Sequence, residues 1–147
     1  MVIAVIDGMG GSIGQQIILQ LRRELPEETE IMALGTNSVA TMNMMKARAN
    51  RGGTGENAIR VNVGNADVVM GCLSILIPNS MMGELTPGMA ESIASCRARK
   101  IILPLTNPRI ELTGVLEVPL PQLITQAVRR LVGEDDEGAG EKGSGDV

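Results

Sequence analysis

Residues 2–6, Val-Ile-Ala-Val-Ile, form an unbroken aliphatic run that ends at Asp7 and passes directly into glycines at 8, 10, 11 and 14. A strand apolar at every position has to be covered on both faces, which is the condition of a parallel sheet between helical layers. The glycines permit a tight turn, and the amphipathic stretch after them opens a helix. Strand, glycine turn and helix in this order aim backbone N–H groups and the positive end of a helix at whatever lies above the turn, which suits a pyrophosphate. The spacing is Gly8-x-x-Gly11-x-x-Gly14; the G-x-G-x-x-G form fails because position 13 is Ile. A glycine motif gains weight from its flanking elements, and both are present. The expected cradle is Gly8, Gly10, Gly11, Ser12, Ile13 and Gly14. The plainer alternative is a strand-to-helix turn that holds no nucleotide.

Composition narrows the chemistry. The 147 residues suit one domain but not a two-domain dehydrogenase. There is no His, Phe, Tyr or Trp, and the core must be built from Ile, Leu, Val, Ala and ten Met. Histidine or tyrosine catalysis is thereby excluded, as is base stacking on aromatic platforms. From Gly133 onward six acids stand against Lys142, a charge of −5 that leaves residues 1–132 at +1 within the total of −4. A nearly neutral body argues against nucleic acid as a partner. The expected domain is therefore 1–132, followed by a disordered, acidic, Gly-rich tail at 133–147. Cys72 and Cys96 have no spacing suited to a disulfide framework or a zinc site, so no metal is expected, and a reducing cytoplasm is the simplest setting. No apolar run reaches membrane length.

Ser12 to Leu25 carries apolar residues at 13, 17, 18, 21 and 25, the pattern of a helix with one core face. Ile31 to Leu34 makes a second strand, and Asn37 or Ser38 can cap a helix through about Arg51. Residues 51–57 read as a glycine-rich loop and Ile59 to Val63 as a minor strand. Ala66 to Gly71 is the next core strand, which Ser74 to Pro78 extends or follows with a strand of its own. Thr86-Pro87, a cap with proline at the first helical position, opens a helix to about Arg99. Lys100 to Leu105 follows as a strand, and the short link 106–109 leads to a strand at Ile110 to Leu116. So short a link demands antiparallel pairing. Leu120, Leu123, Ile124, Ala127, Val128 and Leu131 mark a last helix, ended by Gly133. The expected fold is α/β, a Rossmann-like doubly wound, mostly parallel sheet with an antiparallel edge strand. Residues 7–14, 35–38, 71–83 and 106–108 would converge beyond the strand C-termini, where such sheets bind ligands.

With the elements placed, residues 1–108 resemble the nucleotide-binding half of malate and lactate dehydrogenases. The resemblance rests on Gly8 to Gln15, Leu25-Pro26 through Ile31, Ala66 to Val69, and Thr106-Asn107-Pro108. The whole chain is more similar to a family of short uncharacterised bacterial Rossmann-like proteins sharing the Ile6-to-Gly14 and Pro78-to-Glu84 stretches. The dehydrogenase likeness implies NAD(P) binding but not malate chemistry. Those enzymes use a histidine acid/base and mobile arginines, and residues 79–86 here contain neither.

The acid that would hold the adenosine ribose falls on Gly35, followed by Thr36, Asn37 and Ser38. Small donors without a carboxylate suit a 2′-phosphate. Residues 36–60 also hold Lys46, Arg48, Arg51 and Arg60 against Glu56 alone. NADP is thus preferred over NAD, although a solvated basic helix face explains the same charges. Gly35, Thr36, Asn37, Ser38, Gly71 and Asn107 complete the expected cofactor contacts.

The catalytic candidates are Cys72 and Asp7. Asp7 has three readings: it binds loop N–H groups, holds a metal or the ligand's hydroxyls, or marks a loop that has lost nucleotide binding. Cys72 is a nucleophile or redox sensor at a strand end, or a buried structural thiol, since activation needs a neighbouring positive charge. Cys96 lies on the core face of its helix. Met81-Met82-Gly83-Glu84 reads as a mobile lid or as core packing. Asn79, Ser80, Thr106 and Asn107 can bond a ligand amide or serve their own turns. Glu56 is an acid/base or a solvated loop acid. The functional expectation is an NAD(P)- or related nucleotide-binding protein, with hydride transfer undecided. A non-catalytic sensor or partner-binding module is the alternative. A homodimer through Ile18 and Leu19 would help to close the site.

Overall fold

The computed structural model describes residues 1–133. Five strands, β1 (Val2–Asp7), β2 (Glu30–Gly35), β3 (Arg51–Thr54), β4 (Val68–Cys72) and β5 (Arg99–Leu103), form one sheet in the order β3-β2-β1-β4-β5. Every pairing is parallel. The chain winds outward from β1 through β2 to β3, then crosses back to build β4 and β5 on the other side. The crevice between β1 and β4 is therefore the switch point of the sheet, where the loops leaving the strands diverge and leave room for a ligand.

Helices α1 (Ser12–Glu24), α2 (Ser38–Lys46) and α5 (Leu120–Val132) pack beside one another, and α3 (Glu56–Val63) packs on α4 (Pro87–Ser95), which gives the sheet its two covering layers. Ile3, Ala4, Val5 and Ile6 are wholly buried between them. Aliphatic and methionine side chains fill the core, including Met32, Met44 and Met70. Arg22 secures the far end of the molecule by donating to the carbonyls of Thr29 and Arg48 and to Asn50 Oδ1. No helix among the described residues is long and apolar enough to cross a membrane.

Several elements differ from the sequence expectation. No antiparallel edge strand exists among the described residues: 110–116 makes no ladder, because Gly114 turns the chain at φ 78° and Leu112, Val115 and Leu116 face solvent. The glycine-rich stretch at 51–54 is an edge strand, held to β2 by backbone pairing that needs no apolar side chains. Residues 59–63 are helical rather than a strand. Ile59 and Val63, four apart, are buried, while Val61 between them is exposed. Helix α2 stops at Lys46 and α4 at Ser95, both earlier than expected, and Ser74–Pro78 supplies part of a 3-10 turn, Leu73–Leu76, instead of a strand. Cys96 caps α4 rather than lying on its core face. Thr86 and Pro87 open α4 and Gly133 closes α5 at φ 78°, as expected. Ile18 is fully buried, which removes it from any dimer contact, while Leu19 beside it is 40 % exposed. The acidic tail beyond Gly133 lies outside the described residues.

Candidate functional site

The glycine turn begins as the sequence dictates, with β1 delivering Asp7 to the sheet edge and α1 starting at Ser12. Asp7 is only 6 % exposed. Its Oδ1 accepts the Gly8 N–H and its Oδ2 the Gly14 N–H, both at 2.8 Å, so the carboxylate ties the turn together from beneath. Of its three readings, the bonding of loop N–H groups is the one observed. Burial pushes its carboxyl above the usual range, against the lowering effect of the Gly14 and Gly8 amides, with the nearby Glu84 charge adding to the rise. The Gly11 N–H folds back to the Gly8 carbonyl at 2.9 Å. Among the described residues, the amides of Gly10 and Ser12 have no hydrogen-bond partner and remain for a ligand.

The glycines divide by purpose. Gly11 has φ 73°, and a Cβ there would stand 2.7 Å from Ala40 Cα, so it lets α1 and α2 approach. Gly14 makes room for Met44, whose sulfur would collide with a Cβ. Gly10 has nothing within 4 Å, which makes it the open floor of the turn. Gly71 serves packing, since a Cβ would lie 2.8 Å from the Ile6 carbonyl oxygen. Gly35 sits against Thr41 and leaves no space for a side chain at the end of β2.

Above the turn is a cavity of about 250 Å³, walled by residues 7–13 on one side and by Cys72, Ser74, Met81, Leu105 and Thr106 on the other. The Thr106 hydroxyl oxygen is buried and has no hydrogen-bond partner in the described structure. Such an orphan is costly unless a water or ligand group answers it. Cys72 is buried, its thiol pushed up by that burial and by the Asp7 charge, so it is neutral and unactivated near pH 7. A larger groove of about 740 Å³ runs between β5, residues 114–118 and α5. It carries Arg99, Lys100 and Arg130 but no carboxylate, thiol or hydroxyl, so the smaller cavity is the better candidate.

The other candidates separate cleanly. Thr36 and Asn37 do not line the cavity but donate to Glu84 beside the glycine turn, and Asn37 also caps α2 by accepting the Ala40 N–H at 2.9 Å. Ser38, at the first turn of α2, is exposed and does not line the cavity. Asn107 Oδ1 accepts the Arg109 N–H at 2.9 Å and so serves its own turn. Asn79 and Ser80 do likewise, with the Asn79 N–H on the Leu85 carbonyl at 2.7 Å and the Ser80 hydroxyl on that of Ser74 at 2.5 Å. Glu56 accepts the Thr86 hydroxyl and faces Arg60, joining α3 to α4 away from the cavity. No cluster of three or more His, Cys, Asp or Glu among the described residues could hold a metal.

Sequence reading missed the part played by Glu84. From the loop between the 3-10 turn and α4, its Oε1 accepts the Met9 N–H at 2.9 Å, the Thr36 hydroxyl at 2.7 Å and the Asn37 amide at 2.6 Å. These donors hold its carboxyl below the usual range. Met81 packs over Gly8 and lines the cavity, whereas Met82 is 93 % exposed and is not core.

A parallel sheet of order 3-2-1-4-5 with a glycine turn at its switch point defines a Rossmann-like α/β protein. The chain belongs to DUF3842, a domain of unknown function, whose family model matches residues 2–135. No curated protein and no solved structure matches the chain, so the likeness to malate and lactate dehydrogenases gains no support there.

Proposed function

We propose that this protein binds a dinucleotide of the NAD(P) type, its pyrophosphate lying on the Gly8–Gly14 turn at the N-terminus of α1. The observation that carries the reading is the pair of unpartnered amides, Gly10 and Ser12, facing a cavity whose far wall holds the orphan Thr106 hydroxyl. Amides at a helix N-terminus favour an anion. The hydroxyl offers a polar contact to a ring amide or carbonyl. At about 250 Å³ the cavity admits one ring, so the rest of the ligand would lie in the open crevice toward β2. A second reading, binding without hydride transfer, is favoured by the unactivated Cys72 thiol and by the lack of any histidine or tyrosine acid.

The protein has no tryptophan or tyrosine, so the fluorescence of bound NADH or NADPH can be followed almost without background. Gly10→Glu is the informative variant, because a Cβ there meets nothing within 4 Å and the side chain places a negative charge where the pyrophosphate would lie. We expect saturable binding that weakens at least about tenfold in this variant while the unfolding midpoint is kept. Absence of saturable binding to either dinucleotide would end the reading.

A further inference from the structure

Sites of this topology ordinarily carry an acid at the end of the second strand to accept the ribose hydroxyls. Here β2 ends at Gly35, and a Cβ at that position would collide with the Thr41 hydroxyl. The carboxylate comes instead from a loop 48 residues further along the chain than Thr36. Glu84 bridges the ends of β1 and β2, taking the Met9 N–H from the glycine turn and the Thr36 and Asn37 donors from the end of β2. All three bonds fall on Oε1. Oε2 takes none among the described residues.

The cations that sequence alone would offer to a 2′-phosphate lie elsewhere. Arg51 pairs with Glu30 at the start of β2, the end of the strand opposite the crevice. Arg60 faces Glu56 at 3.9 Å, and Lys46 and Arg48 sit at the C-terminal end of α2, away from the Asn37 cap. A 2′-phosphate placed beside Thr36 would therefore meet a carboxylate held by three hydrogen bonds and none of these four cations, and like charges so close repel.

On the dinucleotide reading above, we propose that Glu84 is the specificity-determining residue of the site. Its Oε2 accepts a ribose hydroxyl, and its charge excludes a 2′-phosphate, so the ligand is a dinucleotide with a free 2′,3′-diol, of the NAD rather than the NADP kind. Oε1 anchors the carboxylate and Oε2 does the reading.

The test is a fluorescence titration of the whole protein and of Glu84→Gln with NADH and with NADPH at one salt concentration. Glutamine keeps an acceptor oxygen for the Thr36, Asn37 and Met9 donors, removes the charge, and puts an NH2 donor in place of Oε2, to which a ribose hydroxyl oxygen can still bond. The wild-type protein should bind NADH at least about tenfold more tightly than NADPH, and the variant should bring the two within about threefold, chiefly by tightening NADPH. Equal affinities in the wild type, tighter NADPH, or an unchanged ratio in the variant would overturn the assignment. If the variant tightened both ligands by the same factor, Glu84 would be a plug rather than a discriminator, and the inference would fall while dinucleotide binding stood. Binding of neither ligand by either protein would remove the dinucleotide reading and this inference with it.

Discussion

Asp7 concentrates a conflict that can be measured. Its two oxygens accept the Gly8 and Gly14 N–H groups, yet burial wins and its carboxyl is raised above the ordinary 3.8. Between that value and its native pKa the folded protein binds more protons than the unfolded chain, so stability falls as pH rises. The contribution is complete below 3.8 and lost as pH passes the native value. Asp7→Asn cannot titrate, and Glu84, whose contribution runs the other way, is present in both proteins. The unfolding free energy of wild type relative to Asp7→Asn should therefore decline with rising pH above about 3.8, as read from urea midpoints across an acid-to-neutral series. A flat or rising difference would contradict the buried-carboxylate account. At this scale the glycine turn was legible because it is contiguous and its residues have few alternatives. Glu84 was not, since no local pattern in Asn79 to Glu84 says that one of its residues turns back onto Thr36.

Among the elements, the segment that carries Glu84 holds three of the five left-handed non-glycine residues of the described structure, with Met9 and Arg48 the others. Asn79, Met81 and Met82 have φ between 56° and 63°, and Gly83 follows at 88°. Left-handed backbone is costly for residues with a Cβ, and Met82, fully out in solvent, gains no packing in return. Strain held in this way usually marks a segment under functional constraint. Met82→Gly should stabilise the protein by about 0.5–1 kcal/mol after allowance for the greater freedom of glycine in the unfolded chain, whereas Met82→Val should destabilise it. Urea midpoints measure both, and a loss of stability in the glycine variant would contradict the strain. Long periodic elements such as α1 and α5 were legible because many side chains agree on one face. Helix α3 was not: Ile59, Val61 and Val63 alternate like a strand, and only packing on α4 decides that the four-residue spacing of Ile59 and Val63 governs. Likewise β3 has almost no side chains to announce it, and Gly114 denies 110–116 the ladder its apolar residues suggest.

For the whole molecule, the consequence lies in how the sheet is closed. Strand β1 pairs with β2 on one side and with β4 on the other, with Ile3 opposite Val68, and α1 packs against α5 from the far end of the chain. A fragment of residues 1–66 keeps three strands and three helices but leaves one edge of β1 and one side of α1 bare. It should give no cooperative urea transition by circular dichroism, where the full chain gives a single one. A cooperative fragment would mean that the first half is a folding unit by itself. The same arrangement bears on the protein's birth: at translation rates of about 5–20 residues per second, Ile3 waits roughly 3–13 s for Val68 to be made. Once clear of the ribosome, Ile3, Ala4, Val5 and Ile6 form an apolar nascent segment with one bare edge, a target for a chaperone until the docking of β4 takes it away.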